Sequence, residues 1–160
     1  GYTPAALYFH FDSKEALYGE LLHQAIANCL AAIEAAIARV DSASGRLRAG
    51  AMAFFTYFAE NPRDLDLGFY LFRGGMRPNG LGRDRDRALN AALAATLEPI
   101  ANAARELGAP EEASGLLTAD VFAHATGLLL LAHTGRIRMF GVSPDDLMER
   151  YLDERIADPT

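Results

Sequence analysis

Apolar residues recur at three- and four-residue spacing along almost the whole of this chain, and nowhere do they alternate with polar ones as a strand requires. The clearest run is Leu17, Leu21, Leu22, Ala25, Ile26, Leu30, Ile33 and Ile37, one broad face of a long helix. Residue supply agrees with the pattern: Ala and Leu dominate while Val is scarce. The fold class is all-α, and 160 residues are enough to bury a substantial core without disulfide or metal staples.

Turn chemistry divides the chain into about eight helices. Thr3-Pro4 caps and opens a short aromatic helix that runs to Phe11. Asp12 or Ser13 then caps the long helix, which reaches Val40 with Glu15 facing the positive end of its dipole. After the loop Asp41–Gly45, a helix runs to Glu60, and Asn61-Pro62 restarts one through Leu65, Phe69, Leu71 and Phe72. Gly74-Gly75, Pro78-Asn79-Gly80 and Gly82 mark the least regular stretch. A long helix follows from Arg83 to Leu107 with a kink expected at Pro99, and another from Ser114 or Thr118 to Phe140. Ser143-Pro144-Asp145-Asp146 starts the last, ending near Ile156.

Composition removes several classes of function. Cys29 is the single cysteine, so neither a disulfide framework nor a thiolate zinc site can form, and the cytoplasm is the expected compartment. The strongest apolar run, Gly127–Ala132, falls far short of the about 20 residues of a membrane span, so no membrane partner is expected. The net charge of −6 gives no general attraction to nucleic acid, so any DNA contact must be local.

Such a local signal stands at the start of the chain. Gly1-Tyr2-Thr3-Pro4-Ala5-Ala6-Leu7-Tyr8-Phe9-His10-Phe11-Asp12-Ser13-Lys14-Glu15-Ala16-Leu17 combines a turn glycine, a capped helix with a small-residue N-terminus, an aromatic run and a second capped helix that opens with a cation. A helix with small residues at its start can enter a major groove about 12 Å wide. Leu7 and Phe11, four apart, form its buried stripe. The segment resembles the recognition helix and following helix of the tetracycline-repressor (TetR) family. Its pattern is specific because small, aromatic, basic and capping positions are fixed together. The resemblance implies a TetR-like architecture: residues 1–22 as the C-terminal part of a helix-turn-helix head, and residues 23–160 as a helical ligand-binding and dimerisation domain. It also implies that the remaining helices of the head precede Gly1, carrying the basic residues this part lacks. Double-stranded DNA with a palindromic operator is the implied partner. The implied contacts are Thr3, Pro4, Ala5, Tyr8, Phe9, His10 and Lys14, with Lys14 placing a phosphate at a helix N-terminus.

Beyond Leu22 the residues themselves carry the reading. The aromatic stripe Phe54, Phe55, Tyr57 and Phe58 and the cluster Phe69, Tyr70 and Phe72 supply more adaptable apolar surface than helix pairing needs. A pocket for a small hydrophobic effector is expected among Met52, Phe55, Phe58, Phe69, Phe72, Arg73, Met76, His124 and His133, with His23 and Arg136 as further polar candidates. His124 and His133 are nine apart, on opposite sides of one helix, and no His/Glu spacing suits a metal. No nucleophile elbow, phosphate loop or dinucleotide fingerprint is present in the sequence, so neither enzyme activity nor a cofactor is expected.

Thr126–Ala132 is apolar on nearly every face, which suits a helix that contacts both its own core and a partner. A homodimer seam is expected at Thr126, Leu130, Leu147, Met148, Tyr151 and Leu152. The function expected is a ligand-responsive transcriptional regulator, a repressor released from its operator by the effector. The alternative is a helical small-molecule-binding protein or enzyme that does not bind DNA.

Overall fold

The computed structural model describes residues 13–69 and 81–157. They form six α-helices and one 3-10 turn, with no strand among the described residues. Helix α1 is Lys14–Ile37, α2 Ala43–Glu60, α3 Pro62–Phe69, α4 Arg83–Glu106, α5 Glu111–His133 and α6 Pro144–Ala157; the 3-10 turn is Arg136–Phe140. The short aromatic helix expected before Phe11 lies outside the described residues, as does the glycine-rich stretch up to Gly80.

Each start has a local cause. The Ala16 amide donates to Ser13 Oγ at 3.1 Å, and the Gly45 amide donates to Ser42 Oγ at 3.1 Å, which closes the open N-termini of α1 and α2. Ser143 Oγ accepts from the Asp145 amide at 3.2 Å ahead of α6, with Asp145 and Asp146 in its first turn. Helix α5 begins at Glu111, directly after Pro110, not at Ser114. It also ends at His133 rather than Phe140, because Gly135 takes up a left-handed conformation (φ 71°) and the chain tightens into the 3-10 turn. Helix α4 runs through Pro99 as one element. The carbonyl four residues back, on Ala95, loses its donor there, and Ala95 is exposed.

Helix α1 lies against α2 and α4, while α5 packs on α4, α2 and α6. Leu22, Ile26, Cys29 and Ile33 are buried along one side of α1, and Leu47, Ala51, Phe54, Phe55 and Phe58 along α2. All of these except Leu22 and Ile26 meet Ile100, Val121, Leu129, Met148 and Leu152 in the main core. Gly50 marks a close approach of α1, α2 and α4: a Cβ there would stand 3.0 Å from Ile37 Cδ1 and 3.2 Å from Ile100 Cγ1. A smaller apolar cluster of Leu22, Ile26, Leu81 and Leu89 sits beside the main core. The expected domain boundary at Leu22 falls inside α1, which crosses it without interruption.

Helix α5 departs from the sequence expectation in its length and apolarity. An 18-residue window of it has a mean hydropathy of 1.6, long and apolar enough by those two criteria to cross a membrane, with 33% of the window buried inside the chain. The apolar run extends beyond Gly127–Ala132 because Leu116, Leu117, Val121 and Phe122 continue it toward the N-terminus.

Cys29 is fully buried, and burial pushes its thiol up from 9.0 to about 12. The folded state therefore holds the neutral thiol. Its stabilising contribution is complete below about pH 9 and is lost as pH rises toward 12. At about pH 8 the native protein is expected to resist a thiol-reactive disulfide reagent that labels the urea-unfolded chain at once. Fast labelling of the native protein would mean that Cys29 reaches solvent.

Candidate functional site

Where α1, α2, α3, α4 and α5 converge, their side chains leave a cavity of about 90 Å³. Helix α1 contributes Leu22 and Ile26, α2 contributes Phe54 and Phe58, and α3 contributes Gly68. Leu89, Asn90 and Leu93 of α4 and Phe122 of α5 complete the wall. Among the described residues the lining holds no charged side chain, and its one polar side chain, Asn90, is exposed at the rim. Phe54 is the centre of an aromatic group, its ring edge-to-face with Phe58 (5.1 Å between centroids) and with Phe122 (5.8 Å).

Local packing explains these positions. Phe54 and Phe58 are four apart on α2 and so share a face. Gly68 brings the backbone of α3 close to α1, since a Cβ on it would lie 3.6 Å from Leu22 Cδ1. Helix α3 is held by two polar contacts. The Tyr57 hydroxyl donates to Asp64 Oδ2 at 2.7 Å, and His133 Nε2 lies 2.9 Å from Asp66 Oδ1. Burial first, and then the bond to Asp64, raise the Tyr57 phenol to about 12, so it remains a hydroxyl donor across the physiological range.

The expected effector residues are distributed unevenly around this cavity. Phe58 lines it. Phe55 is instead fully buried in the main core, and Met52 is half-buried against the same core. His133 pairs with Asp66 on α3, whereas His124 stacks on Tyr151 of α6, with ring centroids 4.0 Å apart and 12° between planes. The two histidines do face different elements, and neither is a wall of the cavity. Phe72, Arg73 and Met76 lie outside the described residues, as does the side chain of Phe69; His23 and Arg136 are exposed. Leu22, Ile26, Phe54, Gly68, Leu89, Asn90, Leu93 and Phe122 line the cavity without having been singled out for it from sequence. For Phe54 the i, i+4 relation to Phe58 was the available signal. No group of His, Cys, Asp and Glu able to hold a metal occurs among the described residues.

Of the expected DNA contacts, Thr3, Pro4, Ala5, Tyr8, Phe9 and His10 lie outside the described residues. Lys14 is exposed at the first position of α1, its ammonium 5.2 Å from the centroid of the Tyr18 ring.

A second surface lies along α5 and α6. Leu116, Ala119, Ala123, Gly127 and Leu130 are exposed at helical spacing on α5, with Leu130 at 38%. Beside them, His124 Nε2, Thr126 Oγ1, Tyr151 Oη and Arg155 Nε are buried with no hydrogen-bond partner among the described residues. The Tyr151 phenol is raised by burial first and by Asp120 second, with Arg155 acting in the opposite sense. Two expected seam residues are elsewhere: Met148 and Leu152 are fully buried in the core of their own chain, where the apolar face of α6 is consumed in packing on α2 and α5. Leu147 is half-buried against that core.

No protein-family model matches the chain, and no curated protein matches it. Solved structures do. A protein with unknown function from Rhodococcus sp. RHA1 matches with a TM-score of 0.73 at 21% identity, over 98% of this chain and 78% of the other. A candidate regulatory protein, SCO4313, matches with a TM-score of 0.70 at 20% identity, over 95% of this chain and 78% of the other. The all-helical fold is shared with both.

Proposed function

We propose that the chain belongs to a TetR-type transcriptional regulator: a twofold dimer that binds a palindromic operator and is released from it by a small hydrophobic effector. The observation that carries this reading is the double role of α1. Its first residues belong to the segment Gly1–Leu17 that resembles a recognition helix and the helix after it, and its Leu22 and Ile26 are walls of the cavity. A molecule entering the cavity touches the same rigid helix that the reading segment leads into. Any displacement of Leu22 or Ile26 moves the start of α1 with no flexible joint between them.

Two further observations support it. The fold is shared with a candidate regulatory protein. The exposed apolar face of α5, with the buried orphan polar atoms beside it, is the surface a second copy would cover. A twofold pair sets its two recognition helices about 34–36 Å apart, one turn of the duplex.

Fluorescence anisotropy of the full-length protein on DNA from its own promoter tests the proposal. Competitor-resistant binding that weakens steeply with salt is expected. An effector should lower that affinity about 5–150-fold, the range of an ordinary coupling free energy of about 1–3 kcal/mol. Absence of specific binding to promoter and genomic operator fragments alike, with small molecules still bound, would favour a helical carrier without DNA binding.

A further inference from the structure

The cavity also limits what can occupy it. We infer that its ligand is an uncharged single-ring aromatic molecule with one hydrogen-bonding substituent, the ring seated against Phe54, Phe58 and Phe122 and the substituent at Asn90. This rests on the reading of the cavity as the effector site and specifies the chemistry of that site.

Charge is the first criterion. No lining side chain among the described residues is ionisable, so a buried carboxylate or ammonium would lose its hydration with none of these side chains to replace it. Size is the second. At about 90 Å³ the cavity is smaller than the dry apolar cavity of about 150 Å³ that takes up benzene, so a single ring is the upper limit and part of it must stay at the mouth. A fused ring system or a long acyl chain does not. Ring chemistry is the third. Phe54 makes edge-to-face contacts with Phe58 at 60° and with Phe122 at 67°, so edge-to-face ring packing is the mode already used in the wall. An aromatic guest can extend that pattern and gain electrostatic complementarity, whereas a saturated ring of the same shape gains burial alone. Position of the polar group is the fourth. Asn90 carries a carbonyl acceptor and an amide donor at the exposed rim, so a hydroxyl or carbonyl there keeps a partner while the ring is buried.

The test is isothermal titration of the full-length protein with four probes of similar shape: 4-methylphenol, toluene, 4-methylcyclohexanol and 4-methylbenzoate. The phenol is expected to bind at least about tenfold more tightly than the saturated alcohol and the carboxylate. Its advantage over toluene should shrink in Asn90→Leu, an exposed position where the fold tolerates change. In Phe122→Leu the preference for the aromatic over the saturated ring should narrow; Phe122 is half-buried, and a circular dichroism melt verifies that this variant folds. Equal binding of the saturated alcohol or of the carboxylate overturns the inference, and so does failure of all four probes to bind. Operator anisotropy, read in parallel, separates the two ideas. Phenol binding without any change in operator affinity removes the effector role and leaves the aromatic site. Operator release by an aliphatic or charged compound that the phenol cannot displace leaves the regulator and removes the aromatic site.

Discussion

Phe54→Ala is expected to cost about 3–5 kcal/mol of folding stability, the range for deleting a fully enclosed aromatic side chain. The ring is 1% exposed and belongs to the main core, where it also makes both edge-to-face contacts described above. Its removal costs the transfer of the ring from water, two aromatic pair contacts and the void left behind. That void cannot close by a small shift, because Gly50 already holds α1, α2 and α4 at contact distance one helical turn away. The hole also opens into the existing cavity, so the change should enlarge the site as it weakens the fold. Urea denaturation followed by circular dichroism measures the loss. A shift below about 1 kcal/mol would mean that Phe54 sits in a loosely packed wall. Phe58→Ala, at 4% exposure on the same face, provides the comparison and should fall in the same range.

How much of this was legible in the sequence depends on the range of the interaction. Helix starts were legible where a side-chain cap marks them: Ser13 and Ser143 were readable within a few residues and do hold their helix openings, whereas α5 opens after Pro110 with no side-chain cap and was placed late. The end of α5 was not, because Arg136–Phe140 carries no breaker of its own and the interruption comes from the left-handed turn at Gly135. A glycine inside an apolar helical pattern looks the same whether it is tolerated or terminating. The lining of the cavity was half legible for a comparable reason. Spacing showed that α2 carries a rich aromatic stripe, but both Phe54 and Phe55 lie at helical spacing from Phe58. Which of them turns toward the gap is set by how α1, α4 and α5 pack around α2, and Phe122 joins from far along the chain. The face of α6 went the same way. Its apolar residues were correctly seen to need a partner, and for Met148 and Leu152 that partner is the chain's own core.

That last point leaves the exposed face of α5 for the proposed seam, where a single charge should undo it. Ala123 is exposed in the middle of the apolar row Leu116, Ala119, Ala123, Gly127 and Leu130. Within one protomer, Ala123→Arg changes little, since arginine is a good helix former at a solvent-facing position. Across a twofold axis the same change appears on both sides of the seam and places two like charges in an apolar contact, each partly stripped of water. The expected result is a shift from dimer to monomer by sedimentation, with the circular dichroism melt of the dilute protein preserved. Operator affinity should fall in parallel. One recognition helix on one half-site lacks the effective-concentration gain of about 10²–10⁴ that a linked pair obtains. Leu152→Ala supplies the contrast that gives this result meaning. It should destabilise the protomer by about 2–5 kcal/mol through its own core. An Ala123→Arg protein that remains a dimer with full operator affinity would place the seam away from α5. The orphan atoms of His124, Thr126, Tyr151 and Arg155 would then need water or another partner to satisfy them.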